Sequence, residues 1–176
     1  GGLRSGMGTS AALGVAMARA LLAWHGVAGS VARELAAAAA VETLFHGTPS
    51  GIDHTVSALE TPLWFQKGEM PEPLRDQEPL HLVLRPRQSS HPTAVIVAGV
   101  RGRIVEQPLL ARTLAEIGRA SRLGRDAWGR GDLVALGECL RAAQDGLARL
   151  GVVDDADREG IAVAQGAGAL AAKVTG

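Results

Sequence analysis

Tyrosine is absent from this sequence, and two phenylalanines and three tryptophans make up all the aromatics. A core built on large rings is thereby excluded; alanine, valine and leucine have to fill it. Cysteine occurs once, at Cys139. That rules out an internal disulfide and a multi-cysteine metal centre, and makes a reducing, cytoplasmic setting the natural expectation. Because Cys139 falls inside an apolar helical pattern, it reads as a small core residue. Charge of one sign is also missing. Lys and Arg total 18 against 18 Asp and Glu, with no long basic block, which argues against nucleic acid or an anionic membrane surface as the main partner. No apolar run is long enough to span a bilayer, and no charged-then-apolar leader is evident. A soluble protein is expected.

What is present is ordinary globular material. The 176 residues are 47% hydrophobic and 20% charged, enough for one large domain or two small ones. The chain opens on Gly1 in a glycine-rich stretch and stops at "AAKVTG", so both ends are expected to be cut. Residues 1–8 read as loop. From Thr9 the apolar residues Leu13, Met17, Leu21 and Trp24 recur at helical spacing, with Gly26 as the stop. A second helix is expected after Ser30, a good N-cap, with the alanines of 36–40 inside it and Gly47 ending it. "GTPSG" is a turn, residues 51–59 open a short third helix, and "PLWFQK" (62–67) reads as a strand. "KGEMPEPLRDQEP" reads as a boundary or exposed connection, and "LHLVL" (80–84) as a restarted strand. Three helical segments follow: 93–101 extending through 108–129, then 131–150, then 154–172, with Gly129, Gly131 and Gly151 at the joints. No internal repeat occurs, and the chain divides near residue 75.

Two stretches carry chemistry. In "SGMGTSAA", Gly6 and Gly8 stand just before a helix whose first turn holds Thr9, Ser10 and Ala11. Glycines admit a ligand close to the backbone, and the unpaired amides and dipole of a helix start favour an anion. The hydroxyls of Thr9 and Ser10 can reach a phosphate oxygen or a metal. The plainer alternative is a loop with Thr9 or Ser10 as N-cap. A Walker A motif is excluded, since no GxxxxGK[ST] occurs. The stretch fits G-x-G-x-x-A, but no acid follows about twenty residues on, as a dinucleotide site would require. In "VETLFHGTPSGIDHTV", Glu42 and Asp53 flank a tight turn made by Gly47, Pro49 and Gly51. One carboxylate can hold a divalent cation while the other takes a proton from a hydroxyl. The alternatives are a solvated Glu42, a Glu42–His46 hydrogen bond, and a Ser50/Asp53 capping box. A zinc site lacks a third ligand of suitable spacing. Jointly, loop, Glu and Asp form the set needed for metal-assisted phosphoryl transfer.

These residues resemble a known family. "SGMGTSAA" resembles the second motif of the GHMP kinases, "HGTPSGID" preceded by Glu42 resembles the mevalonate kinase branch, and "GALAAKVTG" resembles the lead-in to the third, glycine-rich motif. The resemblance implies an α+β GHMP kinase fold. Residues 1–75 would be the C-terminal part of the ATP-binding domain, like domain 2 of ribosomal protein S5, and residues 76–176 a truncated ferredoxin-like C-terminal domain. It implies ATP and Mg²⁺ as cofactors and mevalonate as substrate. Gly6, Met7, Gly8, Thr9 and Ser10 would wrap the phosphates, with Arg4 and Ser5 leading in. Ser10 and Glu42 would hold Mg²⁺, and Asp53 would act as general base. His46, Ser50, Gly51 and Thr93 fall on the substrate side. Met7 and Thr9 depart mildly from the family's usual GLGSSAA, Arg4 replaces a small residue, and "RPRQSSHP" differs from the family's segment before the threonine. The lysine that pairs with the base, and the third motif, fall outside these 176 residues, so the segment alone is not expected to be a competent kinase. A homodimer is the expected assembly if there is one, and a kinase of another small alcohol or of phosphomevalonate, a non-catalytic relative and a gene remnant stand as alternatives.

Overall fold

The computed structural model describes residues 8–46, 50–74, 79–85 and 93–175. The described residues form two compact units, the first built from three helices and a β-hairpin, the second from four helices.

In the first unit, α1 (Thr9–Trp24) starts on Gly8, whose left-handed backbone (φ 65°) turns the chain into the helix without a side-chain cap. Thr9 and Ser10 are therefore the first two helical residues, not the cap. The helix ends in a Schellman motif: the Gly26 N–H donates to the Ala23 carbonyl at 3.1 Å and the Val27 N–H to that of Leu22 at 2.9 Å. α2 (Val31–His46) starts where the sequence predicts, with the Arg33 N–H donating to Ser30 Oγ at 3.3 Å. α3 (Ile52–Leu59) is capped by Gly51 (φ 97°), so the Ser50/Asp53 capping box does not form; Ser50 Oγ instead accepts from the Ile52 N–H at 3.4 Å.

Small side chains let these helices approach closely. A Cβ on Gly14 would lie 3.6 Å from Val41 Cγ1 and 3.9 Å from the backbone of Ala38. The core is Val15, Ala38 and Ala58, with Leu35 packed against it, which fits a chain short of aromatics. Arg19 ties all three helices together. Its Nε donates to Glu34 on α2 at 2.8 Å, its Nη1 to the Glu60 carboxylate at the end of α3, and its Nη2 to the Ala58 carbonyl at 2.9 Å. The bonds to Glu60 and then Glu34 raise its pKa above the already high guanidinium value, so it stays charged wherever the protein folds.

Strand structure is sparser than an α+β reading expects. Among the described residues there is one two-stranded antiparallel sheet: β1 (Leu63–Trp64) against β2 (Glu72–Pro73), with Leu63 opposite Pro73 and Trp64 opposite Glu72. The expected strand 62–67 thus shrinks to two residues, and the presumed connection supplies its partner. Residues 80–84 form no strand, and Val83 is 97% exposed. A strand requires a ladder to join, and apolar alternation alone does not supply one.

In the second unit the expected 93–129 helix is two helices, α4 (Thr93–Glu106) and α5 (Leu110–Gly129), because Pro108 lacks the N–H that continuation requires. α6 (Leu133–Arg149) is capped by Asp132, and α7 (Asp155–Gly166) by a reciprocal Asp154/Asp157 box. Gly131 and Gly151 take left-handed backbone at the ends of α5 and α6, whereas Gly129 is helical. α7 stops short of residue 172 because a third such glycine, Gly168 (φ 90°), closes it. α5 and α6 pack antiparallel over small residues. Gly124 faces half-buried Cys139, as the small-core reading expects, and Gly146 faces Ile117 and Thr113. The tail then crosses α6, with the Val174 N–H donating to Gln144 Oε1 at 2.9 Å.

Candidate active site

The starts of α1 and α3 meet. Both helices begin on left-handed glycines, and Asp53, the second residue of α3, lies against Gly8: a Cβ on Gly8 would stand 3.7 Å from Asp53 Cβ, 3.8 Å from its Cγ and 4.0 Å from its Oδ1. The carboxylate is exposed, so a substrate can reach it. α1 carries no acid in its own first turn, and the positive dipole end of such a helix start favours an anion. Thr9 and Ser10 are likewise exposed at that end.

Glu42 lies on the inner face of α2, one turn after the fully buried Ala38, and is itself only 4% exposed. The solvated-residue alternative is therefore overturned. Its height follows from the antiparallel register of α1 and α2. Arg19 meets Glu34 and Gly14 meets Ala38 and Val41, so continuing along both helices carries Glu42 toward the N-terminal turns of α1. Asp53 thus stands exposed at the start of α1, while Glu42 is buried on the α2 face that runs toward that end. Arg4, Ser5, Gly6 and Met7 lie outside the described residues, as do the side chains of His46 and Thr93.

The donor set fits a hard cation that brings most of its own shell. Among the described residues no group of three or more His, Cys, Asp or Glu forms a metal cage. One hydroxyl and one carboxylate are what Mg²⁺ takes from a protein when phosphate and water oxygens complete the octahedron.

Three residues outside the two motifs' expected roles support this corner. Thr55 is buried, and its Oγ1 donates to the Gly51 carbonyl at 2.7 Å. His54 is buried beside Gly51, and Phe65 packs its ring on the same glycine. A signal for Phe65 existed, since phenylalanine occurs only twice in the chain.

Residues 3–61 match the family described as GHMP kinases N terminal domain. Those residues belong to the GHMP kinases. Beyond this GHMP kinase domain the likeness continues. The chain is 33% identical to a mevalonate kinase of Pyrococcus horikoshii and 34% identical to one of Aeropyrum pernix, in each case over 98% of its own length and 52% and 54% of theirs. It also superposes on the crystal structure of L. major mevalonate kinase in complex with R-mevalonate with a TM-score of 0.83 and 25% identity, over 98% of this chain and 54% of that one. The chain spans about half the length of these relatives.

Proposed function

We propose that the protein of which this GHMP kinase domain is part phosphorylates the primary hydroxyl of mevalonate with ATP. The observation that carries the reading is the carboxylate of Asp53 resting on Gly8 at the start of α1. In this reading the α1 amides, Thr9 and Ser10 hold the phosphates, with Arg4, Ser5, Gly6 and Met7 completing the loop. Asp53 accepts the proton of the primary hydroxyl as that oxygen bonds to the γ-phosphorus and the bond to the β–γ bridging oxygen breaks, with ADP leaving. Ser10 and Glu42 would hold Mg²⁺, which when bound offsets the negative charge of the β- and γ-phosphates. His46, Ser50 and Gly51 would face the acceptor. The two compact units would correspond to the S5-like and ferredoxin-like domains of the family, divided near residue 75.

The test is phosphoryl transfer from ATP by the full-length protein to a panel of mevalonate, phosphomevalonate, homoserine and galactose. Mevalonate should be the preferred acceptor by kcat/KM. Preference for another alcohol would move the protein within the GHMP kinases, and no transfer to any would leave a binding protein. Asp53→Ala should lower kcat by about 10³-fold or more with ATP binding retained; unchanged turnover would remove Asp53 from the base role.

A further inference from the structure

We propose that Phe65 is a positioning residue for Asp53, acting through Gly51; this rests on the reading of Asp53 as general base. Gly51 has a φ of 97°, a conformation that glycine reaches but does not hold by itself. Something outside the residue has to fix it. Its carbonyl accepts from both the Thr55 N–H at 3.3 Å and Thr55 Oγ1 at 2.7 Å. On its Cα face stands the Phe65 ring, with Cζ 3.3 Å and Cε2 3.9 Å from where a Cβ would be, and His54 Cε1 at 3.9 Å. The ring thus fills the place of the absent side chain and closes off the alternative torsions that a bare glycine would explore.

The direction of α3 follows from the Gly51 torsions, and Asp53 is only two residues further on. A rotation at Gly51 therefore carries the carboxylate across the face of Gly8. Displacing a reacting group by about 1 Å costs on the order of 10²-fold in rate. The hairpin that delivers Phe65 pairs only two residues on each side, too few to be stable by itself. What it contributes is a ring held behind the start of α3.

The experiment is steady-state kinetics of the full-length protein with ATP and mevalonate. Phe65→Ala should lower kcat about 10–100-fold, with the KM for ATP within about two-fold of the parent. Phe65→Leu, which retains most of the bulk, should recover most of the loss. A collapsed ATP affinity, or a kcat loss that Leu does not recover, would make the ring a stability element only and overturn the proposal. Should Phe65→Ala fail to fold, Phe65→Val, whose side chain is shorter than that of Leu, decides: a several-fold fall in kcat alone supports the proposal, and parent kinetics overturn it. Asp53→Asn separates the two readings. An inactive Asp53→Asn beside a fully active Phe65→Ala defeats the positioning role and leaves the base standing. An active Asp53→Asn defeats both, as does a full-length protein that transfers no phosphate to mevalonate.

Discussion

A carboxylate on the inner face of an alanine-rich helix is a demanding thing to keep, since burial disfavours its charge unless cations or donors answer it. Glu42 occupies such a position. If Mg²⁺ is part of the answer, Glu42→Gln should keep the fold, since the amide has the same shape. It should raise the Mg²⁺ concentration for half-maximal activity of the full-length protein by about tenfold or more, because even an outer-shell partner is worth about 10–100-fold in metal affinity. An unchanged magnesium titration would take Glu42 out of the metal site. The sequence places Glu42 and Asp53 on either side of a Gly/Pro-rich stretch, and the exposure of Asp53 at a helix start agrees with that placement. The burial of Glu42 was not legible, because in "AAAAAVETLF" nearly every position is small or apolar and no face stands out. The start of α3 misled in another way. Ser50 and Asp53 have capping-box spacing, yet Gly51 between them takes the cap position by virtue of its positive φ.

At the scale of elements, glycine has opposite meanings in two helices of the second unit. Gly146 of α6 lies where an added Cβ would sit 2.5 Å from Ile117 Cγ1 and 2.9 Å from its Cδ1, and a β-branched side chain in a helix has little freedom to retreat. Gly102 of α4 faces open space. Gly146→Ala should therefore destabilise by about 1–3 kcal/mol through overpacking, despite its gain in helix propensity. Gly102→Ala should stabilise by about 0.5–1 kcal/mol. Urea unfolding of the two variants checks the pair, and the same sign for both would refute the packing argument. The helices, with Ser30 as a cap and Gly26, Gly131 and Gly151 as stops, could be read from sequence because caps act locally. The strands could not, since pairing depends on partners far along the chain, and neither residues 62–67 nor 80–84 declare theirs. Pro108 carried its own signal, masked by the helical pattern on both sides of it.

For the molecule as a whole, the telling surface is on α1. Leu13, Met17, Leu21 and Trp24, the residues whose spacing announced the helix, are all exposed, Trp24 by 85%; Ala11, Gly14, Val15 and Ala18 are the ones buried. Periodicity found the helix, but the residues that carry it are not the ones that pack into the unit's core. The 176-residue chain should consequently bind an apolar dye such as ANS, and Leu21→Gln with Trp24→Gln should cut the fluorescence gain by about two-fold or more. No change would mean that the stripe is covered in solution. A different consequence follows from Arg19. The faces that α1, α2 and α3 present to one another are rich in small residues, among them Ala11, Gly14, Ala18, Ala38 and Ala58, and small side chains specify a register less sharply than large interlocking ones. The planar fork of Arg19, reaching Glu34, Glu60 and the Ala58 carbonyl at once, selects one register. Arg19→Lys keeps the charge and loses the fork, so far-UV circular dichroism should be nearly unchanged while amide NMR signals of the first unit broaden or multiply. Unchanged line widths would refute this. The uniqueness of that unit's structure, as distinct from its helicity or its compactness, would thus draw on a polar side chain as well as on its core.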